Sequence, residues 1–254
     1  MMWEFINSGA NTGAFNMKFD IELAEKVSHE KSFFRLYQWQ PYCISLGANQ
    51  SFDDVNLEKA SADGIDVVKR PTGGRAILHA EEITYSCALS LDSGLSSHDI
   101  YKKISLAIVS GLRKFDEQLA DVELETVQPD FAGLLKLPQG KICFSSTAKS
   151  EIKFRGKKIV GSAQRKMKNS VLQHGSILIG RFHRNLAEYI LSSEFCKDDF
   201  DAKTIELETI LNAKVDKERL VSCLIDGFKK EWGISQFANA DAVTNFHFNP
   251  KTSR

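Results

Sequence analysis

Apolar residues recur every three or four positions in two segments of the chain, and this spacing predicts amphipathic helices. The first runs from about His98 to Leu119, after a cap formed by Ser96 and Asp99. The second runs from Asp216 to Trp232 and is followed by Gly233, a common stop signal. The segment Ala14 to Lys26 is also predicted to be helical. Each of these helices is expected to pack its apolar side on a sheet.

Shorter apolar and aromatic runs, separated by turn residues, predict β-strands. They cover Phe33–Trp39, Tyr42–Leu46, Glu82–Leu89 and Val171–Leu178. Residues 127–142 contain two proline stretches, Gln128–Asp130 and Leu137–Gly140, that break regular structure, and they are predicted to form a long loop. We therefore expect an α+β fold with mixed or antiparallel sheets covered by helices, in one domain over residues 1–235, followed by a C-terminal tail over 236–254.

Composition restricts the classes of function. The 254 residues carry a formal net charge of zero, which gives no indication of a nucleic-acid partner, and no apolar run is long enough to span a bilayer. The N-terminus lacks the pattern of a signal peptide. The five cysteines are widely spaced and contain no C-x-x-C pair, which argues against a disulfide framework and a zinc site. We expect a cytoplasmic protein without a membrane or nucleic-acid partner and without a bound metal.

The run from Lys69 to His79 places two adjacent glycines between two arginines, immediately after an apolar strand. Glycines allow close approach to a ligand, and arginine offers paired donors for a carboxylate, a phosphate or a carbonyl. The run therefore predicts a ligand-binding loop, although a tight hairpin would account for Gly73 and Gly74 equally well.

Three further residues are candidates for chemistry. Cys143 follows the predicted loop and is either a nucleophile or a small core residue. Lys158 follows a hairpin at Arg155 and Gly156, and it is either a site residue or part of a charged strand edge. His174 is either a site residue or a hydrogen-bonded structural histidine.

These segments also resemble one known family. The run R-P-T-G-G-R-A-I-L-H, the segment G-K-K-I-V-G-S-A-Q that begins at Gly156, and L-Q-H-G-S-I-L around His174 resemble signatures of the lipoyl ligase and octanoyltransferase family. The segments G-A-F-N-M-K-F-D from Gly13 and G-A-N-Q from Gly47 resemble two further family segments, with Ile21 where the family usually has Glu. The likeness spans roughly residues 10–180, and it implies a biotin/lipoate protein ligase catalytic fold.

The resemblance implies roles for individual residues. Cys143 and Lys158 would be catalytic, and the acyl substrate would be contacted by Arg70, Gly73, Gly74, Arg75, His79, Gly161, Ser162, Ala163 and His174. A cysteine at position 143 resembles the pattern of the Gram-positive octanoyltransferases, which need no cofactor. The chain differs from that branch at Ser145, where Asp is frequent. The alternative is an ATP-dependent lipoate-protein ligase. A non-catalytic acyl-binding protein that keeps the fold is a third hypothesis.

The mechanism implied by the transferase branch passes through a thioester on Cys143. A cation such as Lys158 would favour the thiolate, which would take octanoyl from acyl carrier protein. A lysine of a lipoyl-bearing protein, such as glycine cleavage H protein or the E2 subunit of a 2-oxoacid dehydrogenase, would then accept it. The acyl chain would lie in an apolar slot near Ile77, Leu78 and Tyr85. Basic residues near the signatures would steer acidic partners.

Overall fold

A computed structural model describes residues 2–125, 151–191 and 202–238 of the chain. Cys143, Cys196, the predicted loop at 127–142 and the sequence from 239 onward lie outside these ranges. The three cysteines within them, Cys43, Cys87 and Cys223, are buried free thiols. No helix in the described ranges is long and apolar enough to cross a membrane.

The described strands form two sheets. The ten strands are β1 Met2–Asn11, β2 Lys31–Trp39, β3 Cys43–Leu46, β4 Asp66–Lys69, β5 Ile77–His79, β6 Glu82–Ser90, β7 Val122–Leu124, β8 Ile152–Phe154, β9 Lys157–Lys166 and β10 Ser170–Leu178. The large sheet has the order β1-β2-β6-β10-β9-β8-β7, and the small sheet has the order β4-β3-β5. The pairs β1–β2 and β3–β4 are parallel and the other pairs are antiparallel, so the sheets are mixed, as the sequence predicts.

Strands β6 and β10 lie at the centre of the large sheet, and every residue of both is buried. Strict alternation of apolar and polar residues is typical of a strand with one wet face. Because both faces of β6 and β10 are covered, their sequences alternate only weakly. The polar side chains on these strands must therefore find partners inside the protein.

The described residues contain five α-helices: α1 Gly13–Lys26, α2 Leu57–Ala62, α3 Ser97–Phe115, α4 Leu207–Leu211 and α5 Lys217–Trp232. A 3₁₀ segment, Phe182–Glu188, follows β10. Helices α3 and α5 pack together and bury their apolar stripes in the core that covers one face of the large sheet. At its start, Ser96 caps α3 by accepting the backbone N–H of Asp99, as predicted.

The predicted end of α3 at Leu119 is wrong by one short turn. Asp116 adopts an extended backbone, with φ −154°, which ends the helix at Phe115. Its carboxylate then accepts the backbone N–H of Gln118 and begins a separate 3₁₀ turn that carries Leu119 into the core. The apolar spacing continues across this break because α3 and the 3₁₀ turn bury residues in the same core.

The small sheet has its own core, built on Ile44, Leu46 and Leu78 and closed by the 3₁₀ segment through Leu186. At the other end of the chain, Phe237 packs against Phe34 and Phe228 in the main core. The division into a domain over 1–235 and a tail over 236–254 stays a prediction.

Candidate active site

A cavity lies where the two sheets meet. Its wall includes residues of β2, β3, β5, β6, β9 and β10, together with Met17 of α1. All ten predicted site residues within the described ranges line it: Arg70, Gly73, Gly74, Arg75, His79, Lys158, Gly161, Ser162, Ala163 and His174. Residues from three separate sequence segments are thus brought to one cavity, while Cys143 lies outside the described residues.

The glycine run forms the loop that connects β4 to β5 of the small sheet. Gly74 has φ +92°, a left-handed conformation that glycine adopts without strain. A Cβ at Gly47 would overlap the carbonyl oxygen of Gly74, so the two loops can pack together only without a side chain there. The hairpin alternative is excluded, because β4 and β5 both pair with β3 rather than with each other.

Arg70 holds this loop in place with its buried guanidinium group. It donates to the carbonyl oxygens of Ser45 at 2.7 Å, Gly73 at 2.9 Å and Arg75 at 2.6 Å. Two loop carbonyls and one carbonyl of β3 therefore converge on one side chain. This arrangement gives Arg70 a structural task in addition to its place in the cavity wall.

His79 is the centre of a hydrogen-bonded cluster on the cavity wall. Its Nε2 lies 2.7 Å from Ser45 Oγ, and its Nδ1 lies 2.8 Å from Glu82 Oε1. The Glu82 carboxylate also accepts from Thr84, which in turn accepts the Trp39 indole N–H at 2.7 Å. Trp39 stacks on the imidazole with 4.1 Å between ring centroids. Both ring nitrogens of His79 are therefore engaged by the protein.

His174 connects the glycine loop to a buried charge cluster. Its Nε2 lies 2.6 Å from Thr72 Oγ1, and its Nδ1 lies 3.3 Å from Asp20 Oδ2. Asp20 is also held by Arg35 at 2.7 Å and by the hydroxyl group of Tyr37 at 3.0 Å. His174 is therefore a hydrogen-bonded structural residue that also lines the cavity, and its role as a site residue stays a prediction.

Burial and charge act oppositely on this cluster. Burial lowers the pKa of His174 despite its contact with Asp20. Burial alone would raise the pKa of Asp20, but the Arg35 charge and the hydrogen bonds from His174 and Ser86 outweigh it and lower that pKa. At neutral pH these shifts favour a neutral imidazole beside an ionised carboxylate.

Lys158 enters the cavity from β9 on the wall facing the glycine loop. Its ammonium group lies 2.7 Å from Glu151 Oε1, and the two side chains are only 11% and 7% exposed. The solvated strand edge considered from the sequence is therefore wrong for Lys158. A buried lysine requires a compensating charge, and Glu151 supplies one.

Ser162 is held near Lys158 by aromatic residues. Its Oγ lies 2.7 Å from the hydroxyl group of Tyr85, and Tyr101 of α3 also hydrogen bonds to it. Burial, reinforced by the negative charge of Glu151, raises the pKa of Tyr101 to about 12. Both tyrosines therefore remain protonated donors or acceptors at neutral pH.

Sequence reasoning missed several residues of this region. Glu151 carried no motif signal. Trp39 and Ser45 belong to the segment up to Gln50 that resembles the family, but they were not singled out as site residues, and neither was Thr84. These three residues line the cavity through strand pairing that no local pattern displays. No group of three or more His, Cys, Asp or Glu side chains in the described ranges is arranged to hold a metal ion.

The fold, and the three signature segments that meet at one cavity, place the chain in a known class of protein. The model of the lipoyl protein ligase A/B catalytic domain matches residues 12–229, and the chain belongs to this family. This confirms the family resemblance and the expected catalytic fold.

Particular relatives are octanoyltransferases. The chain is 34% identical to the octanoyltransferase LipM of Lysinibacillus sphaericus, over 90% of this chain and 86% of that one. It is 35% identical to the octanoyltransferase LipM of Kyrpidia tusciae, over 91% and 87% of the two chains. Among solved structures, lipoate-protein ligase A bound with ATP has a TM-score of 0.73 at 18% identity and covers 93% of this chain and 87% of its own. A bipartite lipoate protein ligase from Thermoplasma acidophilum, studied with its E2 lipoyl domain, has a TM-score of 0.70 at 17% identity and covers 93% and 86%.

Proposed function

We propose that this protein is an octanoyltransferase, which moves octanoyl from acyl carrier protein to a lysine of a lipoyl-bearing protein through a thioester on Cys143. One observation carries the proposal. The relatives that are 34–35% identical over about nine-tenths of the chain are octanoyltransferases, and the same signatures here line one cavity. The structural likeness to ligases at 17–18% identity concerns the fold alone.

In the first step, the thiolate of Cys143 attacks the thioester carbonyl of the donor. The bond from carbonyl carbon to the carrier's sulfur breaks, and the carrier thiol leaves with a proton. Thiolate is the reactive form, and a nearby ammonium favours it. Lys158 is the proposed cation, because its ammonium is held on the cavity wall by Glu151. One thioester replaces another, so this step requires no ATP.

In the second step, the ε-amine of the acceptor lysine attacks the thioester on Cys143. An amide forms, the carbon–sulfur bond breaks, and the cysteine recovers its proton from the amine. Conversion of a thioester to an amide is favourable, and it makes the transfer one-way. Lys158 and backbone N–H groups of the glycine loop are proposed to stabilise the negative charge that develops on the carbonyl oxygen. No cofactor takes part in either step.

The cavity suits an apolar chain because its buried polar groups are already paired. Arg70 is bound to loop carbonyls, His79 to Ser45 and Glu82, and His174 to Thr72 and Asp20. What remains for a ligand includes the side chains of Ile77 and Met17. Burial of methylene groups against such a wall supplies about 0.8 kcal/mol each. We propose that the other predicted site residues line the acyl position.

The donor and acceptor are proposed from charge and from the family. Arg165 and Lys166 are exposed near the end of β9, and Lys168 follows in the turn to β10. These cations lie beside the glycine loop, since Arg165 donates to the carbonyl oxygen of Pro71 at 2.7 Å. Such a surface favours an acidic carrier protein. A lipoyl-bearing protein, such as glycine cleavage H protein or a 2-oxoacid dehydrogenase E2, is the proposed acceptor.

Intact-mass analysis tests the proposal. The full chain incubated with octanoyl acyl carrier protein is expected to gain one octanoyl group. Cys143→Ala is expected to gain none, while Cys196→Ala, a cysteine outside the signatures, is the matched control and is expected to be acylated normally. An adduct that persists in Cys143→Ala would contradict the thioester.

The ligase alternative is tested on the same preparation. A ligase would exchange pyrophosphate into ATP in a lipoate-dependent reaction, whereas the proposed transferase is expected to show no such exchange. Transfer of the octanoyl group from the isolated acyl-enzyme to an acceptor lipoyl domain, without ATP, would complete the test.

A further inference from the structure

A row of three paired residues crosses the large sheet beside Lys158. Tyr85 on β6 pairs with Gly175 on β10, and Gly175 pairs with Ser162 on β9. A Cβ at position 175 would lie 2.7 Å from Tyr85 Cε1 and 2.9 Å from Ser162 Oγ, closer than a real Cβ comes to other atoms. The glycine therefore lets Tyr85 reach across β10, where its hydroxyl group lies 2.7 Å from Ser162 Oγ.

The direction of this hydrogen bond follows from a chain of amides that ends on a backbone carbonyl. A carbonyl oxygen only accepts, so the atom of Gln164 that lies 3.0 Å from Ser97 O is the amide nitrogen. The same nitrogen lies 3.2 Å from Gln173, whose facing atom must then be the amide oxygen. The Gln173 nitrogen is left to face the Tyr85 hydroxyl group, at 3.1 Å. The Tyr85 oxygen thus accepts from Gln173, and its single proton is left for Ser162.

Ser162 accepts this proton because the proton has no other acceptor. Tyr85 is fully buried, and within the described ranges its hydroxyl group bonds only to Gln173 and Ser162. A buried donor without an acceptor is costly, so Tyr85 donates to Ser162. A serine hydroxyl group that accepts in this way keeps its own proton to donate.

The hydroxyl group of Ser162 lies in the same part of the cavity wall as the proposed cation. Ser162 is partly exposed and lines the cavity. A Cβ at the neighbouring Gly161 would lie 3.6 Å from Lys158 Cε, so the lysine side chain passes beside this part of β9. Tyr101 also hydrogen bonds to Ser162, and the charge of Glu151, the partner of Lys158, reaches it. Because a tyrosine hydroxyl group either donates or accepts, Tyr101 can leave the Ser162 proton to a group that only accepts.

We propose that Ser162 donates a hydrogen bond to the carbonyl oxygen of the acyl group and stabilises the negative charge that develops there. The inference rests on the proposed transfer through Cys143 and adds a second catalytic donor beside Lys158. When the thiolate attacks, the electron pair of the C=O bond moves to the oxygen, and Ser162 keeps its proton throughout. Tyr85 is a positioning residue, because it orients Ser162 without touching the substrate. A donor that is oriented before the reaction needs no reorganisation during it.

Single-turnover acylation of the full chain by octanoyl carrier protein tests the donor. Ser162→Ala is expected to lower the maximum rate by about 10²-fold, the cost of removing one such donor, with little change in the donor concentration at half-maximal rate. Ser162→Thr keeps a hydroxyl group and is expected to restore most of the rate. Ser105→Ala, at a buried serine of α3 that does not line the cavity, is the matched control and is expected to keep the wild-type rate.

Infrared spectroscopy of the acyl-enzyme gives a readout that a purely structural role would not change. The octanoyl donor carries an isotope label at the carbonyl carbon, which separates its band from those of the protein. A hydrogen bond to the oxygen weakens the C=O bond, so Ser162→Ala is expected to shift the band of the Cys143 thioester to higher frequency. Ser162→Thr is expected to leave the band near its wild-type position.

Tyr85→Phe tests the positioning role. It is expected to slow acylation by about fivefold to tenfold, which corresponds to one weakened hydrogen bond. In the Ser162→Ala background it should slow the reaction no further, because Tyr85 acts through Ser162. Tyr189→Phe, which removes a hydroxyl group bonded to Asp63 outside the cavity, is the matched control and is expected to keep the wild-type rate. Additive losses in the double variant would contradict the positioning role.

The outcomes separate this inference from the proposed function. A wild type that octanoyl carrier protein does not acylate would overturn the transferase and, with it, the role of Ser162. Normal acylation of the wild type, with the same maximum rate and carbonyl frequency in Ser162→Ala, would overturn the role of Ser162 alone. If Ser162→Ala does not fold, the rate and frequency of Ser162→Ala/Tyr85→Phe decide, because that variant leaves no buried phenol proton without an acceptor.

Discussion

Two walls face each other across the main cavity, and both carry charged residues and glycines of the signatures, yet they are built differently. On the wall from the small sheet, Arg70 is directed at the backbone of its own loop and of β3. On the wall from the large sheet, Lys158 is paired with the carboxylate of Glu151. A signature residue can thus either stabilise the backbone of a site or take part in its chemistry. The contrast predicts that substitutions on the first wall act mainly on stability, whereas those on the second reduce the rate of acylation as well.

The largest effect is expected at Lys158. Replacement by methionine should slow acylation of Cys143 by about 10²–10³-fold, the cost of removing one electrostatic contact to a developing oxyanion. It should also destabilise the protein by about 3–5 kcal/mol, because Glu151 is left as a buried, unpaired charge. Acyl-enzyme formation and urea unfolding measure the two losses separately.

The double variant Lys158→Met/Glu151→Gln distinguishes chemistry from structure. It should recover most of the stability, since no charge is left unpaired, but none of the rate. Recovery of both would show that Lys158 serves only the fold, and the contrast between the walls would be lost.

Arg70→Lys should have the next largest effect, and on stability. A lysine cannot replace the planar fork that reaches three carbonyl oxygens. Loss of these bonds should cost roughly 3 kcal/mol and lower the melting temperature by about 10 °C. Arg165→Lys, which alters an exposed arginine bonded to one loop carbonyl, is the matched control, with an expected cost below about 1 kcal/mol. Equal effects in the two variants would contradict the structural role of Arg70.

The pH dependence of stability reports on His174, which connects β10 of the large sheet to Thr72 in the glycine loop of the small sheet. Because the pKa of His174 is lowered in the folded state, the unfolded chain binds the proton more readily below its pKa of about 6.5. Stability should therefore fall as the pH drops from about 6.5 toward the lower folded pKa. The lowered pKa of Asp20 predicts a second loss below about 3.9.

Urea unfolding across this pH range provides the measurement. His174→Gln should flatten the first decline without abolishing it, since buried His183 also has a lowered pKa and contributes in the same direction. An identical pH profile of stability in the variant and the wild type would exclude His174 as a cause of the decline below pH 6.5.

The smallest effect concerns the exposed cations near β10. Lys166→Glu with Lys168→Glu should raise the KM for octanoyl carrier protein by a few-fold and weaken its dependence on salt. The turnover rate with an octanoyl thioester of a small thiol should not change, because this donor lacks the acidic carrier protein. A change with both donors would place the effect inside the cavity rather than at a docking surface.

The helices and the site segments were predictable to different degrees. The spacing of Ile100, Ile104 and Leu112 predicts α3 because one face of a helix meets the core every three or four residues. Its end was not predictable, because the extended backbone at Asp116 lies within a continuing apolar pattern. The signatures identified residues that line the cavity. Ser45 and Trp39 were not singled out, since their contacts are with residues 34 and 45 positions away, and Glu151 lies in no signature.

The sequence by itself determined the family, the helical stripes and the set of signature residues, because these depend on local spacing and on residue types that short segments display. Only the tertiary structure decided which of those residues form hydrogen bonds within the protein. Arg70, His79 and His174 are engaged by partners that lie up to 154 positions away along the chain, as His174 is by Asp20. Long-range strand pairing sets such contacts, and no local pattern of the sequence displays that pairing.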